Sequence, residues 1–272
     1  MLKREGVFVF IFNLKSKVYF LERRIIMIKG LYTAASGMQS SMRRQEIISN
    51  NLANVNTTGY KKQDAINKAF PEEMIQRIDM EAKNIGSLGS GTAIDEVNTD
   101  HSKGKFNQTG NDMDWAIRGE GFFVVQTPQG ERYTRNGNFT INNQNQVVTQ
   151  QGYPVRGQNG FLEVSDNGKV AIDNNTLLVD GQEVGQISVR SFADKNGLVR
   201  EGENLFRRTP EAGNQFNATG QIEQGFVEGS NVNPVQEMTQ MIQNSRTYQM
   251  DQKIVQINNQ TLGKAVNQVG KP

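Results

Sequence analysis

The feature that most limits what this chain can fold into lies at its C-terminus. Met238, Met241, Ser245, Tyr248, Gln252, Val255, Asn259, Leu262, Val266 and Val269 follow one another by steps of three and four without a break. Such stepping sets side chains on one stripe of a helix, as in a heptad repeat. A second row of Ile242, Ile254, Ile257 and Ala265 widens the apolar face. The start is marked too. Asn233 can cap the helix, Pro234 suits its first position, and Gln236 completes a capping-box spacing. A helix this long, with a thin seam flanked by Asn and Gln, cannot bury itself alone and needs a partner helix.

A partner is available at the other end of the chain. Ile28, Leu31, Ala35, Met38, Met42, Gln45, Ser49 and Leu52 keep the same spacing, and Ile48 and Val55 widen the stripe. An amphipathic helix packed on its own domain would carry the same signature. The helix is predicted to end near 54–56, because Asn tolerates the left-handed conformation that closes helices. Thr57 and Thr58 are poor helix formers, Gly59 frees the backbone, and Tyr60 anchors the exit.

Residues 1–26 differ from everything after them. They hold six Lys/Arg against two Glu, a net of +4, which leaves 24 basic and 26 acidic residues, a net of −2, for the rest. The apolar run 7–12 is too short for a membrane span, and as a signal peptide it lacks a small-residue cleavage site. Glu22-Arg23-Arg24 can be encoded as GAA-AGG-AGG, a ribosome-binding sequence just ahead of Met27. The sequence therefore predicts that the helix begins at Met27–Ile28 and that 1–26 are a translated upstream extension.

Composition removes several functions. Only 36% of residues are hydrophobic, so the core is modest and stability is expected to come partly from assembly. There is no cysteine, hence no disulfide or thiolate metal site. The slightly acidic body lacks the cationic footprint of a nucleic-acid binder. The single histidine, His101, sits in a polar stretch and reads as a surface residue.

Residues 61–113 read as a linker that wraps neighbours, with a short helix near 72–80. The glycines of 86–92 (GSLGSGT) imitate a phosphate-binding loop but lack its lysine. From 114 the texture becomes β. Strands are expected over 122–126, 147–149, 160–164, 169–172, 177–179 and 186–192. Turn pairs lie at Asn136-Gly137, Asn159-Gly160, Asn167-Gly168, Asp180-Gly181 and Asn196-Gly197. Gly119 and Gly121 permit a tight turn, after which Phe122 and Phe123 point to opposite faces of a strand. They do not form a dinucleotide fingerprint, since the third glycine is missing. Asp112 and Asp114 lie among turn residues, with no second convergent group to make an acid/base pair. The predicted fold is α+β: paired N- and C-terminal α-helices, coiled-coil-like, around a central, mostly antiparallel β domain over 114–224.

Several segments resemble the rod and hook proteins of the bacterial flagellum. Residues 30–38 (GLYTAASGM) and 51–61 (NLANVNTTGYK) resemble the family's N-terminal signature, with 30–38 at the position where its members begin. Residues 114–123 (DWAIRGEGFF) and 133–139 (YTRNGNF) resemble the opening of its β domain. Residues 202–206 (GENLF) and 224–234 (QGFVEGSNVNP) resemble its later signatures, and the distal-rod type is the nearest likeness.

The resemblance implies a structural subunit with no cofactor, metal or catalytic residue. It implies export through the flagellar type III apparatus, helical polymerisation with itself and contact with other rod and hook proteins, with no membrane insertion. The segments 27–60 and 225–272 would be the assembly helices. Assembly residues would be Leu31, Ala35, Met38, Met42, Leu52, Asn54, Thr57, Gly59 and Tyr60 at one end. At the other they would be Asn231, Asn233, Pro234, Met238, Met241, Tyr248, Val255 and Leu262. The polar seam residues Gln45, Ser49, Gln252 and Asn259 would fix register. A proximal-rod or hook subunit is a second reading. A wall-modifying enzyme is a third, for which no convergent acid or metal site stands out.

Overall fold

The computed structural model describes residues 5–70, 73–77, 83–88, 91–164, 168–202 and 204–269 of the 272-residue chain. Two long helices, α1 (Glu5–Ala53) and α2 (Pro234–Val269), bracket a β-rich middle, which makes the chain α+β. The chain folds as two units. One is Met1–Ile48, Ala65–Val97 and Met238–Pro272; the other is Ser49–Asp64 and Asn98–Glu237.

The first unit is built on the helices. The C-terminal helix occupies the predicted span, and the Asn233 side chain accepts hydrogen bonds from Val235 N (3.1 Å) and Gln236 N (3.4 Å), as a cap should. By contrast, α1 does not begin at Met27–Ile28: it is one helix from Glu5. The composition break at 26 is a change of character within a continuous helix. The expected short helix near 72–80 is also replaced, in its described part, by strand Glu73–Arg77, paired antiparallel with Lys83–Leu88. Its apolar spacing fits neither period well, and cross-strand pairing decides such short segments. A second ladder joins Gln63–Ala69 to Thr92–Thr99, so the supposed linker is largely β.

The second unit is an antiparallel β structure. Its six-stranded sheet runs in the order Leu198–Arg200, Leu205–Arg208, Gly130–Thr134, Phe122–Thr127, Val189–Phe192, Gln215–Asn217. The Phe122/Phe123 alternation separates two cores. Phe123 joins Trp115, Ile117, Val125, Val147, Leu177 and others on one face; Phe122 joins Val124, Tyr133, Phe192 and Phe206 on the other. Gly121 (φ 129) is required there, because a Cβ would come within 2.6 Å of both Val189 Cγ1 and Ala218 Cβ.

Turn chemistry matches in part. Asp180 and Gly181 both have positive φ and close the hairpin between Thr176–Val179 and Gln182–Gln186. Asn174 and Asn175, also left-handed, close the preceding hairpin and have no glycine to announce them. Residues 160–164 make isolated bridges (Arg156 to Phe161, Gln146 to Glu163), not a continuous strand. Gln182–Gln186 and Val189–Phe192 divide the single strand expected over 186–192. Residue 167 of the turn Asn167-Gly168 lies outside the described residues. No described helix is long and apolar enough to cross a membrane.

Candidate functional site

The second unit contains a buried clasp made by chain segments far apart in sequence. The last turn of α1 supplies Asn51, which is 1% exposed. Its side-chain oxygen accepts from the Tyr60 hydroxyl (3.0 Å) and Gln63 N (3.0 Å), and its amide nitrogen donates to Gln63 O (2.8 Å) and Glu237 Oε2 (3.2 Å). One amide thus ties the helix end to the segment that leaves it and to the first turn of α2. The exit is tight: Gly59 has φ 68, and a Cβ on it would lie 2.3 Å from Asn136 N. The Tyr60 ring is fully buried beneath the Arg200 guanidinium, 4.1 Å from its centroid.

Beside Tyr60, two lysines part company. Lys61 points inward and meets Glu228 at 2.6 Å, with both side chains at most 1% exposed. It also donates to Ser102 O at 2.6 Å. The carboxylate is held from two further directions, as Gly104 N donates to Oε1 (2.9 Å) and Arg135 Nη1 to Oε2 (3.2 Å), while Gly59 N donates to the Glu228 carbonyl (2.7 Å). Burial pushes the Lys61 ammonium below its ordinary value while Glu228 pulls it back, and burial likewise lowers Arg135. Lys62 is more open and pairs with Glu237 (3.2 Å) and Asp64 (3.1 Å). Burial opposes its charge, but these two partners outweigh burial and raise it. The Lys62 N–H donates to Asn231 Oδ1 (2.7 Å), whose amide nitrogen donates in turn to Asp100 O (2.9 Å).

The clasp is a closing device. The Glu228 side chain has a donor on each oxygen and is fully buried. Asn54, Thr57, Tyr60, Asn231 and Asn233, expected as assembly residues, make hydrogen bonds within their own chain. Asp114, weighed above as half of an acid pair, accepts from the Asn138 side chain at 2.9 Å. His101 is not a surface residue. Its ring packs on Phe122 and Phe206 at centroid distances of 5.6 and 5.3 Å. Burial, with Lys61 and Lys195 nearby, lowers its pKa to about 4.

In the first unit, α2 contacts α1 along a line shifted from the predicted one. Met241, Tyr248, Val255 and Leu262 lie on it, half-buried, as expected. The alternate positions are Asn244, Asp251 and Asn258 and not Ser245, Gln252 and Asn259, all of which are exposed. Asn244 donates to Ser41 O (2.8 Å) and Gln45 Oε1 (2.9 Å). Asp251 Oδ2 would lie 2.9 Å from a Cβ on Gly37, and Asn258 faces Gly30. The two helices therefore touch in opposite chain directions. On α1 the buried line runs through Ala34, Ser41 and Ile48, so Leu31, Met38 and Leu52 are half-buried while Ala35 and Met42 are exposed. Met238 is exposed as well.

Three family descriptions match the chain in succession. "Flagella basal body rod protein" covers residues 31–61, "Flagellar hook protein FlgE/F/G D1 domain" covers 116–189, and "Flagellar basal body rod FlgEFG protein C-terminal" covers 223–268. The FlgG basal-body rod protein of Buchnera aphidicola subsp. Acyrthosiphon pisum is 35% identical over 259 residues, spanning 88% of this chain and 98% of that protein. That of Bacillus subtilis is 34% identical over 264 residues, spanning 89% and 99%.

The chain belongs to the flagellar basal-body rod protein family. As a member it is a structural protein of the flagellar basal body. The FlgF basal-body rod protein of Caulobacter vibrioides is similar at the same level, 34% over 248 residues, spanning 90% of this chain and 99% of that protein. Each of the three matched segments contributes one charged group to the clasp: Lys61 from the first, Arg135 from the second and Glu228 from the third. Sequence reasoning located these segments as signatures but found no link among the three charges, because nothing periodic relates residues 167 positions apart.

Proposed function

We propose that this chain is a rod subunit of the distal type. It is exported through the flagellar type III apparatus and polymerises helically with itself, abutting other rod and hook proteins. In that polymer the two terminal helices pair in a coiled-coil-like manner and form the assembly core, and the whole transmits torque from motor to hook. The observation that carries this reading is the outer face of α2. Val235, Met238, Ile242, Met250, Ile254 and Ile257 are each between 45% and 66% exposed, an apolar load that a solitary helix pair would not carry. The clasp supports a structural role over an enzymatic one, because its charges are spent on one another. A proximal-rod or hook subunit is the second reading, since FlgG and FlgF basal-body rod proteins resemble the chain at the same level of identity.

Deletion of residues 255–272 is the test. The truncated chain should retain a folded β unit, followed through the single tryptophan, Trp115, and should fail to enter the rod. Normal motility of that truncation would refute the reading. Labelling the protein in purified basal bodies separates the distal from the proximal position.

A further inference from the structure

Two surfaces of the first unit that no described residue covers complement each other. The first is the outer face of α2. Ile242, Arg246, Met250 and Ile254 recur every four residues, with Lys253 and Ile257 beside them. At about 100° per residue this row lies roughly opposite the Met241–Asn244–Tyr248–Asp251 line that meets α1. The second is a groove of about 530 Å³ on the far side of α1. It lies between α1 and the ladder of Gln63–Ala69 with Thr92–Thr99, and is lined by Tyr32, Ala35, Gln39, Met42, Phe70 and Ala93 among others. The ladder is seated on α1 by small groups: Thr92 N and Ser40 Oγ make hydrogen bonds to Ser36 Oγ and Asn67 Oδ1, both at 3.4 Å. Tyr32 and Met42 are left 61% and 57% exposed at the groove's margin.

We propose that the outer face of α2 from one copy docks in the α1 groove of the next. This rests on the self-assembly put forward above and names the surfaces that would carry it. Their lengths agree. From residue 32 to 46 the groove follows α1 for about 21 Å, and from 242 to 257 the α2 row runs about 22 Å. Their charges are complementary. The α2 row carries Arg246 and Lys253, whereas Glu46 lines the groove and Asp95 and Glu96 are exposed on its ladder strand. The acceptor side has cations of its own in Arg43 and Lys68, paired with Glu46 and Asp95 in exposed bridges that are easily exchanged. Because face and groove are different patches of one unit, the contact is heterologous. Repeated, it links copies head to tail, into an open helical polymer where the rotation does not close, and never into a twofold dimer.

The chain has no native cysteine, so introduced pairs report cleanly. Gln39→Cys would be combined in turn with Met250→Cys, Ile254→Cys and Ile257→Cys in cells, and purified basal bodies oxidised. Within one chain the paired positions face away from each other, so a bond must join two copies. At least one pair should give a ladder of dimers, trimers and higher species that neither single variant gives. Ile254→Asp should lower incorporation more than tenfold while leaving the Trp115 unfolding midpoint of the purified chain unchanged. The proposal is overturned if all three pairs enter basal bodies at wild-type level and none cross-links above the single variants. A dimer band alone, the mark of a closed twofold contact, overturns it too. Absence of the unmodified chain from basal bodies would instead remove the rod reading, and this docking with it.

Discussion

Replacing Glu228 by Gln should destabilise the β unit by about 3–5 kcal/mol, the usual cost of removing one partner from a buried ion pair. The clasp holds two cations, Lys61 and Arg135, against one anion, at 2.6 and 3.2 Å. At an effective dielectric of about 20 each attraction is on the order of 5 kcal/mol, and relaxation of the surroundings returns part of the loss. The substitution keeps the side-chain shape but strands two positive charges, both already pushed down by burial. Lys61→Met does the reverse: it leaves the Arg135–Glu228 pair neutral, Gly104 N still donates to Oε1 and Asn231 Nδ2 still donates to the Ser102 carbonyl, so the loss should be about 1–3 kcal/mol. Glu228→Gln should therefore be the more damaging of the two.

Urea unfolding of the full chain, followed by fluorescence of the buried Trp115, measures this directly, since that residue reports on the β unit alone. The slope against urea should not change. The Glu228→Gln deficit should shrink as pH rises toward the ordinary lysine value of 10.5, because a lysine whose folded pKa is depressed loses stability at low pH and regains it as pH rises. A Glu228→Gln loss under about 1 kcal/mol, or a larger loss for Lys61→Met, would refute the assignment of Glu228 as the shared counter-ion.

Other outcomes follow from single contacts. The folded pKa of His101 lies near 4, below its ordinary value of 6.5, so the folded unit binds fewer protons than the unfolded chain between those values. Stability is full above about pH 6.5 and should fall by up to roughly 3 kcal/mol as pH drops to about 4; His101→Phe should flatten that slope in the Trp115 signal. Asp251 has the opposite sign: burial raises its pKa, so the helix pair should gain stability as pH falls. Helix content by circular dichroism should rise on acidification, and Asp251→Asn should abolish the rise. Gly59→Ala should cost more than about 2 kcal/mol by urea unfolding, since its Cβ would meet the backbone of residues 135 and 136 at positive φ. Gly37→Ala should weaken the helix pair by about 1 kcal/mol in thermal melts, and Asp251→Ala should relieve most of that loss, because the crowding is with a side chain that can be shortened.

The sequence revealed some levels of the structure better than others. Periodicity and capping residues located α2 at Pro234–Val269, because a long helix is specified by local chemistry. The Phe122/Phe123 alternation and the Asp180-Gly181 turn were legible for the same reason. The Glu73–Arg77 strand was not, since only its partner Lys83–Leu88 makes it a strand. The clasp was invisible as a clasp: Lys61, Arg135 and Glu228 come from three segments that nothing in the sequence links until the fold brings them together. His101 was misread because a polar neighbourhood in sequence says nothing about aromatic rings that arrive from Phe122 and Phe206.

The misplaced half of the helix seam has a more specific cause. The predicted line kept the apolar Met241, Tyr248, Val255 and Leu262 but filled the alternate positions with the residue one step too late. The line that forms carries Asn244, Asp251 and Asn258, seven apart and all polar, as does Glu237 in the clasp seven residues earlier. Hydrophobicity cannot find such a line, and the facing residues explain it. Gly30, Gly37 and Ser41 bring the two helices close, and at that spacing a short polar side chain fits while a large apolar one overpacks. Close approach also lets Asn244 reach a backbone carbonyl of α1, a contact that depends on register in a way that apolar packing does not. A pair held by small residues and polar register marks gives up apolar burial between its two helices and keeps its large apolar side chains on the outer face of α2. Under the docking proposed above, that face is where the withheld apolar burial would be recovered.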